Sequence, residues 1–287
     1  MTKTLSQIST IESLRSAVRE AKSNGRKVAL VPTMGYLHEG HLSLVEEASK
    51  QADFVVVSIF VNPLQFGENE DLANYPRDLD HDLRLLSASG HCDVAFTPSV
   101  EEMYPVPLVT TVQLPSMASK LCGRTRPIHF AGVATVVTKL FQIVQPDVAC
   151  FGQKDGQQLA VIRRMVKDLN MPVNVVGVPT VREEDGLAKS SRNVYLSKEE
   201  REHAPVLYQA LSWAKAEIER GQRDATEIVR GVRERIEQDS IARLDYVEAV
   251  EMDTLESVSV LSGDVMIAVA AYFGKARLID NIQLHVE

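Results

Sequence analysis

The segment Met34-Gly35-Tyr36-Leu37-His38-Glu39-Gly40-His41 carries two imidazoles three residues apart. Once a helix begins there, both project to one side, next to backbone N–H groups and the positive end of the helix dipole. An anionic phosphate is the guest such a helix start suits. Gly35 and Gly40 lack a Cβ, so ligand atoms can approach the backbone closely. The spacing alone leaves a solvated histidine pair open. The zinc-protease pattern, with histidines four apart, does not match, and the G-x-G-x-x-G turn of dinucleotide sites is absent.

Three further clusters share this character. Asn62-Pro63-Leu64-Gln65-Phe66 offers an amide, Gln65, able to donate and accept hydrogen bonds to a hydroxyl or carboxylate; its bland alternative is a polar loop beside a proline. Phe151-Gly152-Gln153-Lys154-Asp155-Gly156-Gln157-Gln158 puts Lys154 at a helix start, where the dipole disfavours a cation unless an anion is also bound. Asp155 there reads equally as a helix cap, and Gln158 falls in the first turn, facing crevice or solvent. Lys189-Ser190-Ser191-Arg192-Asn193 gathers two cations and two hydroxyls that suit the β- and γ-phosphates of a nucleotide, or else form a solvated linker.

The elements that must position these groups alternate along the chain. Residues 27–31 read as a buried strand, the stretch from Gly40 as a helix, and 53–61 as a β-branched strand. A helix over 77–89, a strand over 93–96, a helix over 132–145 and a strand over 148–151 continue the pattern. A helix over 157–169 and a strand over 173–178 complete it. Such alternation predicts an α/β fold, a doubly wound parallel sheet of Rossmann-like type, over residues 1–180. After Pro179 the pattern changes to helices at about 198–220 and 224–238 and strands at 246–250 and 265–272. This predicts a smaller α+β domain over 181–287. All four clusters then fall at strand ends or in the interdomain loop, where a doubly wound fold places its ligand.

Composition narrows the function class. The chain has 287 residues, 45% hydrophobic and 24% charged, close to the averages for folded globular proteins. A formal net charge of −8 argues against nucleic acid as a partner. The apolar runs are strand-sized and the N-terminus lacks the apolar core of a secretory signal, so neither a membrane span nor export is expected. Cys92, Cys122 and Cys150 form no C-x-x-C pair, which suits a reducing cytoplasm.

Taken in order, these motifs resemble the pantoate-β-alanine ligase (pantothenate synthetase) family of the H-x-G-H nucleotidyltransferase group. The matching segments run nearly end to end: residues 31–35, 38–41, 60–63 with Gln65-Phe66, and Tyr75-Pro76-Arg77. Arg126-Pro127 with His129-Phe130, Phe151-Gly152 with Lys154-Asp155, residues 185–188, 190–193 and 276–281 follow.

The resemblance implies a two-step reaction. A pantoate carboxylate attacks the α-phosphorus of ATP, releasing pyrophosphate, and the β-alanine amine then displaces AMP from the pantoyl-adenylate. It implies ATP contacts from Met34, Gly35, Tyr36, Leu37, His38, Glu39, Gly40 and His41, and from Gly152, Gln153, Lys154, Asp155, Val181, Lys189, Ser190, Ser191 and Arg192. His41 is the implied proton donor, assisted by His38, Lys154 and Arg192 on the phosphates. Gln65 and Gln158, with Asn62 and Arg126, are implied around pantoate. Mg²⁺ is expected with ATP, with Asp82 as the candidate ligand, and the expected state is a cytoplasmic homodimer. Position 153 holds Gln where Glu is frequent in the family, and position 189 holds Lys where an apolar residue is frequent. A nucleotidyltransferase that moves AMP or CMP onto a phosphorylated small molecule is the alternative enzyme, and a nucleotide-binding module without turnover the non-enzymatic one.

Overall fold

Val28–Thr33 (β2) is a strand because six consecutive residues, apolar but for Pro32 and Thr33, can bury both of their faces, as a central parallel strand requires. It is one of six parallel strands, with Ser6–Ile8 (β1), Phe54–Ile59 (β3), Val94–Phe96 (β4), Val148–Gly152 (β5) and Asn174–Val178 (β6), in the order β1-β4-β3-β2-β5-β6. The computed structural model describes residues 4–68, 70 and 72–287. The intervening helices are Ile11–Ser23 (α1), Glu39–Gln51 (α2), Leu79–Ser89 (α3), Val100–Met103 (α4), Pro115–Ala118 (α5), His129–Val144 (α6) and Gly156–Asp168 (α7).

Alternation along the strands divides the core. Ala29 and Val31 of β2 and Val55 and Val57 of β3 pack with Leu44, Val45 and Ala48 of α2 and Leu86 of α3. Val28 and Leu30, equally buried, leave the strand on its other side, and β2 is also contacted by α1 and α6. The sheet is therefore covered by helices in the doubly wound manner expected from the sequence. Strand order reverses between β2 and β5, and ligands of such sheets bind beyond the carboxyl ends of the strands at that reversal.

By its internal contacts the chain forms two units. The first comprises residues 1–119, 123–152 and 161–178, and the second comprises 120–122, 153–160 and 179–287. The second thus includes two short segments that a linear division at residue 180 assigns to the first. It contains the antiparallel sheet Ala242–Glu251 (β7), Gly263–Phe273 (β8) and Ala276–Val286 (β9), in the order β7-β8-β9. Helices Lys198–His203 (α8), Val206–Glu219 (α9) and Ala225–Glu237 (α10) accompany it. Leu207 and Leu211 of α9 and Ile228 and Val232 of α10 share a core with Val265, Ile267, Val269 and Ala271 of β8. The single helix expected over 198–220 is two, because Pro205 has no N–H for a continuing ladder and cannot sit in a helix interior without a clash. Strand β9, not anticipated, has its apolar alternation interrupted by buried Asp280 and Asn281.

Candidate active site

The turn after β2 is built on a left-handed backbone. Gly35 has φ 83° and Tyr36 φ 51°, the second unusual for a residue with a side chain. Thr33 Oγ1 accepts the Gly35 N–H at 3.2 Å and donates to the Ser58 carbonyl at 2.7 Å, tying the turn to β3. Asp82 of α3 closes it from the other side: Oδ2 accepts the Tyr36 N–H at 2.8 Å and Oδ1 the Leu37 N–H at 2.6 Å. A Cβ at position 35 would lie 3.0 Å from both Asp82 Oδ2 and Ile59 Cγ2, so this turn holds glycine for space as well as for φ.

This gives Asp82 a role other than the expected one of magnesium ligand. Its side chain is 1% exposed and both oxygens are committed to backbone N–H groups. Burial pushes its carboxyl above the ordinary range, and the Leu37 and Tyr36 N–H groups and nearby His81 act in the opposite direction. Among the described residues no group of three or more His, Cys, Asp or Glu could hold a metal ion. The residues present do not fit a magnesium ion held by the protein alone.

His38 is the N-cap of α2, its Nδ1 accepting the Gly40 N–H at 3.1 Å. His41 Nδ1 accepts the His38 N–H at 3.3 Å. Each Nδ1 being an acceptor, the hydrogen-bond network assigns the ring proton of both imidazoles to Nε2. The motif therefore presents two Nε2–H donors at the positive end of a helix, which is where an oxyanion would be stabilised.

Gln65 lies in the 3-10 turn Pro63–Gln65 after β3 and is 6% exposed. A directed chain fixes its amide: Tyr104 Oη donates to Asn62 Oδ1 at 2.7 Å, Asn62 Nδ2 donates to Gln65 Oε1 at 3.2 Å, and Gln65 Nε2 reaches Met34 Sδ at 3.0 Å. Burial pushes the Tyr104 phenol up, which keeps it a donor. Asn62 Nδ2 also donates to the Gly132 carbonyl at 3.2 Å. The Gln65 carbonyl accepts from His129 Nδ1 at 3.0 Å and Arg126 Nη2 at 3.4 Å. Arg126, expected near substrate, is thus beside Gln65, and Glu70 takes its guanidinium at 3.0 and 2.5 Å. Met34, Asn62, Gln65 and Arg126 are one connected group. Tyr104 and Glu70, which complete it, had no local signal in the sequence.

Gly152 closes β5 in the first unit, and the remaining candidates belong to the second. Gln153, Lys154 and Asp155 form a 3-10 turn, with Lys154 Nζ 3.7 Å from Asp155 Oδ1. Val181 accepts the Lys189 N–H at 2.9 Å through its carbonyl, at the mouth of a hairpin closed by the Arg182–Ala188 bridge. Lys189 pairs with Glu183 at 3.2 Å. Ser190 caps the 3-10 turn Ser191–Tyr195 by accepting the Arg192 N–H at 3.3 Å. Gln158 lies partly exposed in α7, whereas the preceding Gln157 is buried and holds residues 120–122, accepting from Cys122 N at 2.9 Å and donating to the Lys120 carbonyl at 2.7 Å.

Comparison with known proteins follows the same lines. The family profile described as Pantoate-beta-alanine ligase matches residues 6–283. A pantothenate synthetase of Thermoanaerobacter pseudethanolicus is 54% identical over 272 residues, covering 95% of this chain and 96% of that relative. The crystal structure of pantoate-beta-alanine ligase (pantothenate synthetase) from Thermus thermophilus superposes with a TM-score of 0.92 at 50% identity, covering 98% of this chain and 100% of that one. Pantoate-beta-alanine ligase from Francisella tularensis, solved in complex with beta-gamma ATP and beta-alanine, superposes with a TM-score of 0.77 at 35% identity, covering 97% of each chain.

Proposed function

The chain belongs to the pantoate-β-alanine ligase family, and from that membership we propose that it condenses pantoate with β-alanine, forming pantothenate, AMP and pyrophosphate from ATP. In the first step a pantoate carboxylate oxygen bonds to the α-phosphorus and the bond to the β-phosphate oxygen breaks. In the second the β-alanine amine bonds to the acyl carbon, loses a proton, and AMP departs with the former carboxylate oxygen.

The observation that carries this reading is the amide of Gln65, oriented by Tyr104 and Asn62 and set against Met34. An enzyme that only transferred a nucleotide to a phosphate would not require a buried amide able to pair with a carboxylate or hydroxyl beside the turn that carries the histidines. Met34 Sδ is a weak acceptor, and a substrate oxygen would replace it to advantage.

The chemistry asked of the protein is mainly electrostatic, since a carboxylate and a triphosphate repel. His41 and His38 supply Nε2–H hydrogen-bond donors to the phosphates, His41 at the position that the family resemblance makes the proton donor. Residues 34–41, 152–155, 181 and 189–192 form the ATP site, with Lys154, Ser190 and Arg192 on the phosphates. Gln158 joins Gln65 on pantoate. Mg²⁺ enters as part of the MgATP substrate, held through phosphate oxygens and water. The buried Cys92, Cys122 and Cys150 suit a reducing cytoplasm, and the homodimer rests on the family resemblance.

The test is exchange of labelled pyrophosphate into ATP with Mg²⁺ and pantoate present and β-alanine withheld. Exchange that depends on pantoate is the expected result. ATP binding with no exchange would replace the acyl-adenylate by simple nucleotidyl transfer or by binding alone.

A further inference from the structure

Asp280 and Asn281, 4% and 7% exposed, are neighbours on β9 and belong to none of the groups assigned to substrates. Successive side chains of a strand leave opposite faces, and these two engage different segments. Asp280 accepts from Arg182 Nη1 at 2.6 Å and Nη2 at 2.9 Å. Arg182 in turn donates to the Gly186 carbonyl at 3.0 Å, inside the hairpin that leads to Lys189 and Ser190. Asn281 Nδ2 donates to the carbonyls of Gln153 and Lys154, each at 2.9 Å, while Asn281 Oδ1 accepts from Gln283 Nε2 at 3.2 Å.

The orientation of the Asn281 amide follows from its neighbours, because the flipped form would set its oxygen against two carbonyl oxygens. Its two N–H groups therefore fix two consecutive peptide planes. A planar trans peptide directs its N–H opposite to its carbonyl, so the N–H groups of Lys154 and Asp155 are turned away from β9. The direction in which the Lys154 side chain leaves the backbone is set with them. Strand β9 also packs against the Ser191–Tyr195 turn, so one strand backs both segments expected at the phosphates.

We infer that Asn281 is a positioning residue for Lys154: its buried amide holds the Gln153–Asp155 turn in the conformation that presents the ammonium to the nucleotide. The inference deepens the functional reading above and rests on Lys154 acting on the phosphates.

A double-mutant cycle tests it. Asn281→Asp keeps the shape and replaces the two donors by oxygen, opposing both carbonyls. Pantoate-dependent pyrophosphate exchange is measured for the parent protein, Asn281→Asp, Lys154→Ala and the double variant, with thermal unfolding of each. Asn281→Asp is expected to lower the maximal exchange rate about 10- to 100-fold, the loss of about two hydrogen bonds at a reacting centre, with the half-saturating pantoate concentration unchanged. In the Lys154→Ala background the same substitution is expected to cost less than about threefold, since residues acting as one unit are not additive. An equal cost in both backgrounds, or no cost in the parent, overturns the inference while leaving Lys154 in its role. Normal exchange by Lys154→Ala would remove Lys154 from the phosphates and this inference with it. Should Asn281→Asp fail to fold, Asn281→Ser, which retains one donor, takes its place in the cycle.

Discussion

His38 and His41 cap one helix reciprocally. His38 Nδ1 takes the Gly40 N–H, His41 Nδ1 takes the His38 N–H, and the two ring centroids stand 4.1 Å apart. The motif is thus a helix start and a pair of Nε2–H donors at once, so substitutions there are expected to act on both the fold and the proposed chemistry.

His41→Ala is expected to lower adenylate formation by roughly two to three orders of magnitude, the size of losing one transition-state donor. Loss of its capping bond should destabilise the protein by only about 1 kcal/mol. Pyrophosphate exchange and thermal unfolding measured on the same sample separate the two effects. Near-normal exchange would take His41 out of the mechanism.

Asp82→Asn offers one acceptor where two N–H groups ask for one each. The freed N–H of Tyr36 or Leu37 should cost about tenfold in kcat/KM for ATP, the equivalent of one hydrogen bond. Asp82→Ala, with neither acceptor, is expected to lose about 2–6 kcal/mol of stability. The Mg²⁺ concentration for half-maximal rate should stay unchanged in Asp82→Asn. If that concentration rises while the KM for ATP does not, Asp82 is a metal ligand after all.

Gly132→Ala places a Cβ 2.3 Å from the Leu64 carbonyl oxygen and 2.6 Å from Gln65 N, both backbone atoms that cannot swing aside. The turn carrying Gln65 must shift, at a cost of about 1–3 kcal/mol for overpacking. A raised KM for pantoate should accompany the lower melting temperature. Unchanged pantoate kinetics would detach Gln65 from that substrate.

His203 Nδ1 donates to Asp239 Oδ2 at 2.7 Å. This hydrogen bond, and then the charges of Asp239, Glu199 and Glu202, raise the imidazole above its ordinary value. A histidine raised in the folded state adds stability below its unfolded value, about 6.5, and loses it as pH climbs through the folded one. His203→Gln should therefore lower the urea midpoint more at pH 6 than at pH 9. The contact is partly exposed, so the difference is small, and equal shifts at both pH values would show that it contributes nothing.

The sequence by itself determined which segments are candidates for substrate contact and which elements carry them. Apolar periodicity identified strands β2 to β8 and helices α2, α3, α6, α7 and α10, because strand and helix periods are local properties of the chain. The position of His38-Glu39-Gly40-His41, Asn62 with Gln65, and Lys154 after strands was local information of the same kind. The kink at Pro205, β1, α1 and β9 were missed, the last because Asp280 and Asn281 break its apolar alternation.

What only the tertiary structure decided is the partner of each buried polar group. Asp82 finds Leu37 across 45 residues, Asn62 finds the Gly132 carbonyl across 70, and Asn281 finds Lys154 across 127. Desolvation makes an unpaired buried polar group costly, but the chain's path through space, not its local pattern, determines which donor or acceptor is within reach. A carboxylate read in sequence as a metal ligand is for that reason, in the fold, the clamp of a strained turn.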